Sequence, residues 1–173
     1  GSMREPFGSS PSRLEAAKRA AESMIRALPA DVDVGLVDFG TCGQVRRDKF
    51  YPAAQRGALV GEINGLGPKQ GTPLADAIRR AGTVASDSAT STLVIVSDGG
   101  DSCGGDPCAV ARSVKAAKPN VTINVIDLSE NPRDRQVLQC IASAGGGRVL
   151  SPGDPPDMNR KMKEAAGAAN CPP

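Results

Sequence analysis

Thr92-Leu93-Val94-Ile95-Val96 followed by Ser97-Asp98-Gly99-Gly100-Asp101 reads as a short apolar strand that stops on a carboxylate in a glycine-loosened turn. In open α/β sheets, ligands collect at such strand ends. Upstream, Ser12-Arg13-Leu14-Glu15 has the form of a capping box, and Leu14, Ala17, Ala21, Met24, Ile25 and Leu28 follow it at helical spacing until Pro29. Residues 32–39 are strand-like, 44–51 form a more charged edge-strand candidate, and helical patterns cover 53–65 and 73–85. Downstream, Asp106-Pro107 supplies an N-cap and a first-turn proline for a helix to about Ala117. A β-branched strand over 121–128, a helix over 132–144, a short strand at 148–150 and a helix over 157–169 finish the chain. Strands alternating with helices, several of them continuously apolar, predict an α/β fold with a mostly parallel sheet flanked by helices on both faces. The length of 173 residues fits one domain, 1–173, with a substantial core.

Composition narrows the function by exclusion. With 21 basic against 19 acidic residues and no block of like charge, no nucleic-acid partner and no anionic membrane surface are expected. There is no histidine, which removes the commonest general base and a common ligand of catalytic zinc. Three Phe, one Tyr and no Trp leave almost nothing for base stacking. The five cysteines are many for a cytosolic domain and lack the paired C-x-x-C halves of a zinc site, so an oxidising compartment, periplasmic or extracellular, is expected. No stretch is apolar and long enough for direct membrane insertion and no signal peptide is present, as for an excised mature ectodomain.

A carboxylate at the end of a buried strand stays charged only if it is solvated, paired or bound to a cation, which makes Asp98 a candidate ligand. The competing reading is a turn-forming Asp-Gly. Thr72, within Gly67-Pro68-Lys69-Gln70-Gly71-Thr72-Pro73-Leu74, is by default the N-cap of the helix that Pro73 opens. In a glycine-flanked loop its hydroxyl also suits a small hard cation such as Mg²⁺, which takes few oxygen ligands and keeps several waters.

Gly71-Thr72-Pro73-Leu74-Ala75-Asp76-Ala77-Ile78 followed by Leu93-Val94-Ile95-Val96-Ser97-Asp98-Gly99 resembles a von Willebrand factor type A domain. The helix from Ser12 to Leu28, the strand end Val37-Asp38-Phe39-Gly40, and Cys140-Ile141-Ala142 before Gly145-Gly146-Gly147 fall in the family's order. Cys103-Gly104-Gly105-Asp106-Pro107-Cys108 is similar to bacterial, exported members. The resemblance implies a Rossmann-like sheet whose top edge carries a metal-ion-dependent adhesion site. There Mg²⁺ or Mn²⁺ takes its last ligand from an acidic residue of a protein partner, and the role is protein interaction or adhesion rather than catalysis. It further implies Thr72 as the loop hydroxyl ligand and Asp98 as the distal carboxylate.

In the family a first strand ending Asp-x-Ser-x-Ser precedes the first helix, whereas this chain starts Gly1-Ser2-Met3-Arg4-Glu5-Pro6. Ser2 is therefore either the last serine of that motif or part of a tag. In both cases the first Asp, the first Ser and the central first strand are absent from the chain. The expectation is an incomplete metal site with weak or no affinity. Two exposed strand edges, between the strand ending at Phe39 and the one ending at Val96, would be open to strand exchange, oligomerisation or a partner segment.

Two other classes compete with this reading. One is a Mg²⁺-dependent hydrolase or phosphoryl-transfer enzyme using Asp38, Asp98 and Asp101, although no nucleophile with an evident base and no Walker-type loop occurs. The other is a non-metal structural scaffold in which Thr72 only caps its helix. Asn120-Val121-Thr122 matches a glycosylation sequon but opens a predicted buried strand. Cys103 and Cys108 flank a short loop and could close on each other; alternatively Cys42 and Cys103 sit on strand-top loops while Cys108 and Cys140 begin adjacent helices. Cys171 is the odd one, free or pairing outside the domain.

Overall fold

The computed structural model describes residues 2–46 and 49–168, so Cys171 lies outside the described residues. Ser12 opens α1 (Arg13–Ala27), its hydroxyl accepting the Glu15 N–H at 3.1 Å, while the Glu15 carboxylate turns to Lys18 Nζ at 2.9 Å. The predicted strand over 32–39 is two short pieces, β1 (Val34–Gly35) and β2 (Asp38–Thr41). The candidate over 44–51 likewise divides into β3 (Gln44–Arg46) and β4 (Phe50–Tyr51). β1 pairs with β4 and β2 with β3, both antiparallel. The division follows from the chain turning back at short range, so that each half meets its ladder partner inside a local hairpin rather than in the main sheet.

After α2 (Arg56–Asn64) and α3 (Leu74–Val84), the chain alternates through β5 (Ser91–Ser97), α4 (Pro107–Ala117), β6 (Val121–Asp127), α5 (Pro132–Ala144), β7 (Val149–Leu150) and α6 (Pro155–Ala165). β5, β6 and β7 form a parallel sheet in that order, with Ser91 opposite Val121 and Ser97 opposite Asp127. Asp106 caps α4 by accepting the Ala109 N–H at 2.9 Å, with Pro107 in the first turn. The Asn120 amide donates to the carbonyls of Ser86 and Ala89 at 2.9 and 2.6 Å, which commits the sequon's side chain to the fold.

β6 is buried on both faces, which is why it reads as an unbroken apolar run. Val121, Ile123 and Val125 face a core shared with Leu74 and Ile78 of α3, Ala111 of α4 and Leu138 and Ile141 of α5. Ile126 and Leu128 join the opposite core, formed with Ala16, Ala17 and Ala20 of α1 and Met158 and Met162 of α6. Each fully buried aliphatic side chain here contributes about 1.5–3 kcal/mol relative to exposure. A third cluster, Ile25, Tyr51, Leu59, Val60 and Ile63, fastens α2 and the β1–β4 pair to the end of α1.

Among the described residues β5 is hydrogen-bonded only to β6, so its other edge carries no ladder. Leu93, Val94 and Val96 on that strand, and Val34, Leu36 and Phe39 across from it in sequence order, remain half-buried. The helices thus cover both faces as the alternation predicts, while the sheet is interrupted where the family resemblance places a central strand.

At the start of α6, Asp154 accepts the Asp157 N–H at 2.9 Å and Asp157 accepts the Gly153 N–H at 3.0 Å. Hydrogen bonding from the Lys161 ammonium, helped by the Gly153 N–H and Arg160, holds the Asp157 carboxyl down at about 2. A carboxylate depressed in the folded state stabilises it above the ordinary value of 3.8, and that contribution disappears as pH falls towards 2. Because the pair lies at the surface and is only partly buried, Asp157→Asn is expected to lower the melting temperature at pH 7 by no more than about 2 °C. Thermal melts at successive pH values should show this gap closing between pH 4 and 2.

Candidate functional site

The C-terminal ends of β5 and β6 lie side by side, because Ser97 and Asp127 are in register. The Ser97 hydroxyl donates to the Gly99 carbonyl at 2.8 Å and turns the chain sharply after the strand. The Gly100 N–H then donates to Asp134 Oδ1 at 3.0 Å, tying the turn to the first residues of α5. Asp98 sits half-buried in this turn and accepts a hydrogen bond from the Ser2 hydroxyl at 2.5 Å. Ser2 lies on a one-turn 3-10 helix, Ser2–Arg4, which is held down by packing of Met3, and of Phe7 beyond it, on the core that includes Ile126, Val94 and Val96.

Thr72 reaches the same loop through its backbone. Its N–H donates to the Ser102 hydroxyl at 2.7 Å, and the Ser102 N–H donates to the Thr72 carbonyl at 3.0 Å. The expectation that Thr72 caps the following helix is corrected: α3 starts at Leu74, Pro73 occupies the N-cap position, and it offers no side-chain acceptor. The cap comes from Asp101, whose Oδ2 accepts the Ala75 N–H at 2.8 Å. Among the described residues the half-buried Thr72 hydroxyl has no hydrogen-bond partner.

Asp101 Oδ1 also accepts the N–H groups of Cys103 and Gly105, at 2.8 and 3.0 Å. Burial pushes this carboxyl up, but the backbone donors of Ala75, Gly105, Cys103 and Leu74 outweigh it and leave the group below the ordinary range. Asp38 is paired with Lys69 Nζ at 2.5 Å. The trio Asp38, Asp98 and Asp101 is therefore not assembled: Lys69 holds the first and backbone amides hold the third. Among the described residues no group of three or more Asp, Glu, His or Cys side chains is arranged to hold a metal ion.

Cys42 is bonded to Cys103 and Cys108 to Cys140, with Cα–Cα separations of 5.4 and 5.6 Å; the Cys103–Cys108 alternative is not formed. The first bridge lies against the Thr72 loop, since a Cβ built on Gly71 would stand 3.4 Å from Cys42 Sγ and 3.3 Å from its backbone nitrogen. At Gly71, φ is +112°, a region that L side chains rarely adopt, so glycine suits both the conformation and the close approach.

Sequence reasoning missed two carboxylates here. The sequence points to Asp101 only as an enzyme ligand, although a helix that opens on proline without a side-chain acceptor needs a cap from elsewhere. Asp127, with its side chain only 1 % exposed, accepts from the Ser129 N–H at 2.8 Å and hydroxyl at 2.5 Å and faces Arg135 Nε at 3.5 Å. The signal for it was the Asp-x-Ser spacing of an Asx turn.

Residues 1–100, more than half of the chain, match the family described as von Willebrand factor type A domain. The protein YwmD of Bacillus subtilis (strain 168) is 24% identical over 172 residues, covering 89% of this chain and 75% of its own. An aerotolerance-related membrane protein from Bacteroides fragilis superposes with a TM-score of 0.75 at 19% identity, over 96% of this chain and 93% of that one. Proximal thread matrix protein 1 from the mussel byssus, in a structure with a zinc-occupied MIDAS motif, gives a TM-score of 0.64 at 16% identity. That match covers 90% of this chain and 42% of the byssus chain.

Proposed function

The chain belongs to the von Willebrand factor type A domain family, and on that premise we propose that it is a protein-interaction module that binds a partner through the strand-top face. In this reading Ser2, Thr72 and Asp98 hold Mg²⁺ or Mn²⁺, and an acidic residue of the partner completes the coordination. The carrying observation is the contact between the Ser2 hydroxyl and Asp98 Oδ2 at 2.5 Å, which brings together two residues from opposite ends of the matched region. In this reading Thr72, on the loop bonded to Ser102, offers a hydroxyl of the kind a hard cation prefers. The zinc-occupied motif in the byssus protein supports a divalent ion in this fold. Bound there, the ion would supply an electrophilic position for a carboxylate.

Two hydroxyls and one carboxylate are a weak set for a hard cation, and an added carboxylate, such as that of an Asp-x-Ser segment placed before Gly1-Ser2, would strengthen it. Such a segment, running as a strand along the open edge of β5, would also cover Leu93, Val94 and Val96. The disulfides and the cysteine-rich loop support an exported domain.

Calorimetric titration of Mn²⁺ and Mg²⁺ tests the reading on residues 1–173 and on the same chain preceded by about fifteen residues, a strand and turn ending Asp-x-Ser. Binding is expected in the extended chain and little or none in the shorter one. Asp98→Ala in the extended chain should weaken binding by more than the roughly 10- to 100-fold caused by losing a group that only orients a ligand. An extended chain that binds neither ion would reject the metal reading in favour of a scaffold, and equal binding by both chains would reject the need for the added carboxylate.

A further inference from the structure

We propose that Asp101 is a positioning residue that holds the Thr72 loop in register with Asp98 without itself touching the ion. This rests on the reading of Ser2, Thr72 and Asp98 as the ion-binding set. Three consecutive residues after the Asp98 turn tie it to its neighbours, the first two to the Thr72 segment and the third to the turn of the β2–β3 hairpin. Asp101 accepts the Ala75 N–H at 2.8 Å, Ser102 exchanges two backbone-directed hydrogen bonds with Thr72, and Cys103 is bonded to Cys42. Asp101 is the centre of this arrangement, because its other oxygen gathers the N–H groups of Cys103 and Gly105 and so fixes the shape of its own loop at the same time.

One carboxylate thus joins two loops through the backbone donors of Ala75, Cys103 and Gly105. With both oxygens engaged, it has the geometry of a brace rather than of a ligand. Thr72 lies two residues before Leu74 in the segment so braced, and its own backbone N–H and carbonyl are both bonded to Ser102, the residue after Asp101. Removing the carboxylate leaves the N–H groups at the start of α3 without their acceptor. It also frees the loop whose Ser102 holds Thr72.

Amide hydrogen exchange on residues 1–173 tests the brace without any metal. In Asp101→Ala the amides of Thr72, Leu74, Ala75 and Ser102 should exchange about tenfold faster or more, while Val125 and Ile126 of β6 keep their protection. The second measurement is Mn²⁺ affinity of the extended chain far below its melting temperature, where a residue that only adds stability leaves the affinity of the folded molecules unchanged. Asp101→Ala should weaken Mn²⁺ binding about 10- to 100-fold, and Asp101→Asn, which keeps an acceptor oxygen, should fall between the two. Unchanged protection at Thr72 and Ser102 overturns the proposal, as does a folded Asp101→Ala chain that binds Mn²⁺ like its parent. If the parent binds no Mn²⁺, the ion reading fails separately, and the exchange result alone decides whether Asp101 braces the loop.

Discussion

Gly147→Ala is expected to destabilise the fold by about 3 kcal/mol or more, at the upper end of overpacking substitutions, and to lower the melting temperature by roughly 6–12 °C. A Cβ at this position would stand 2.1 Å from the Ile123 carbonyl oxygen, 2.7 Å from its carbonyl carbon and 2.5 Å from Asn124 Oδ1. Two of those atoms are backbone of β6, the strand with partners on both sides, and they cannot swing away as a side-chain tip can. The approaching segment is equally fixed. The Gly147 N–H donates to the Ala142 carbonyl at 2.9 Å, the Ile123 N–H donates to the Gly145 carbonyl at 3.2 Å, and the Arg148 N–H donates to Asn124 Oδ1 at 3.0 Å. Relief of the clash therefore separates the end of α5 from β6 and opens the core around Ile123 and Ile141. Gly153→Ala is the control, because nothing lies within 4 Å of a Cβ there and its effect should stay within about 0.5 kcal/mol. Thermal unfolding of the two variants side by side would show a clear difference, and equal midpoints would mean that the α5–β6 junction yields more easily than its hydrogen bonds imply.

Legibility in the sequence followed how local each determinant is. The helix starting at Arg13, with its Ser12 cap, and the Asp106-Pro107 start of α4 rest on residues within one turn of each other, and both could be read directly. β5 and β6 were legible for a different reason, since burial on two faces makes a run apolar without needing to know the partner. The segment from Val32 to Tyr51 reads as two strands because its hydrophobic pattern carries no information on where the chain doubles back, and four short pieces in two nested antiparallel pairs have the same composition. Thr72 reads as a cap because Thr-Pro is a sound local signal, which Asp101, 26 residues from Ala75, overrides. Ser2 and Asp98, 96 residues apart, came together in the reading only through the family resemblance, as no periodicity connects a hydroxyl at one end of a chain to a strand end far downstream.

The two disulfides differ in what they constrain, and the difference matters for the strand-top face. Cys108–Cys140 joins the first turn of α4 to α5, two helices that already pack on a common core through Ala111, Leu138 and Ile141. Cys42–Cys103 joins the turn of the β2–β3 hairpin to the loop after Asp98, where the other direct ties are a few hydrogen bonds to the Thr72 segment. The hairpin is outside the main sheet. Loss of this bridge leaves the hairpin tied to its surroundings by the Lys69–Asp38 ion pair and the packing of Phe39 on the core, neither of which holds the loop after Asp98.

Replacing Cys42 and Cys103 together by serine is expected to remove about 4 kcal/mol of stability on chain-entropy grounds, the bridge closing 61 residues of sequence. That corresponds to a fall in melting temperature of roughly 8–16 °C for a chain of this size. The same double replacement at Cys108 and Cys140, which closes 32 residues, should cost only about half a kcal/mol less. Stability alone thus separates the pairs poorly, and local order is the sharper discriminator. In the Cys42/Cys103 variant the amides of Thr72 and Ser102 should lose protection and any Mn²⁺ binding by the extended chain should weaken, because the bridge that packs beside Gly71 is gone. In the Cys108/Cys140 variant the Thr72–Ser102 pair should keep its protection at temperatures where the protein is folded. Calorimetry with amide exchange on both variants reads the two effects independently. Loss of Thr72 protection in both variants would show that the α4–α5 clamp also shapes the site, through the hydrogen bond from the Gly100 N–H to Asp134 at 3.0 Å. Retention in both would leave Asp101 and Ser102 sufficient to hold the loop without covalent help.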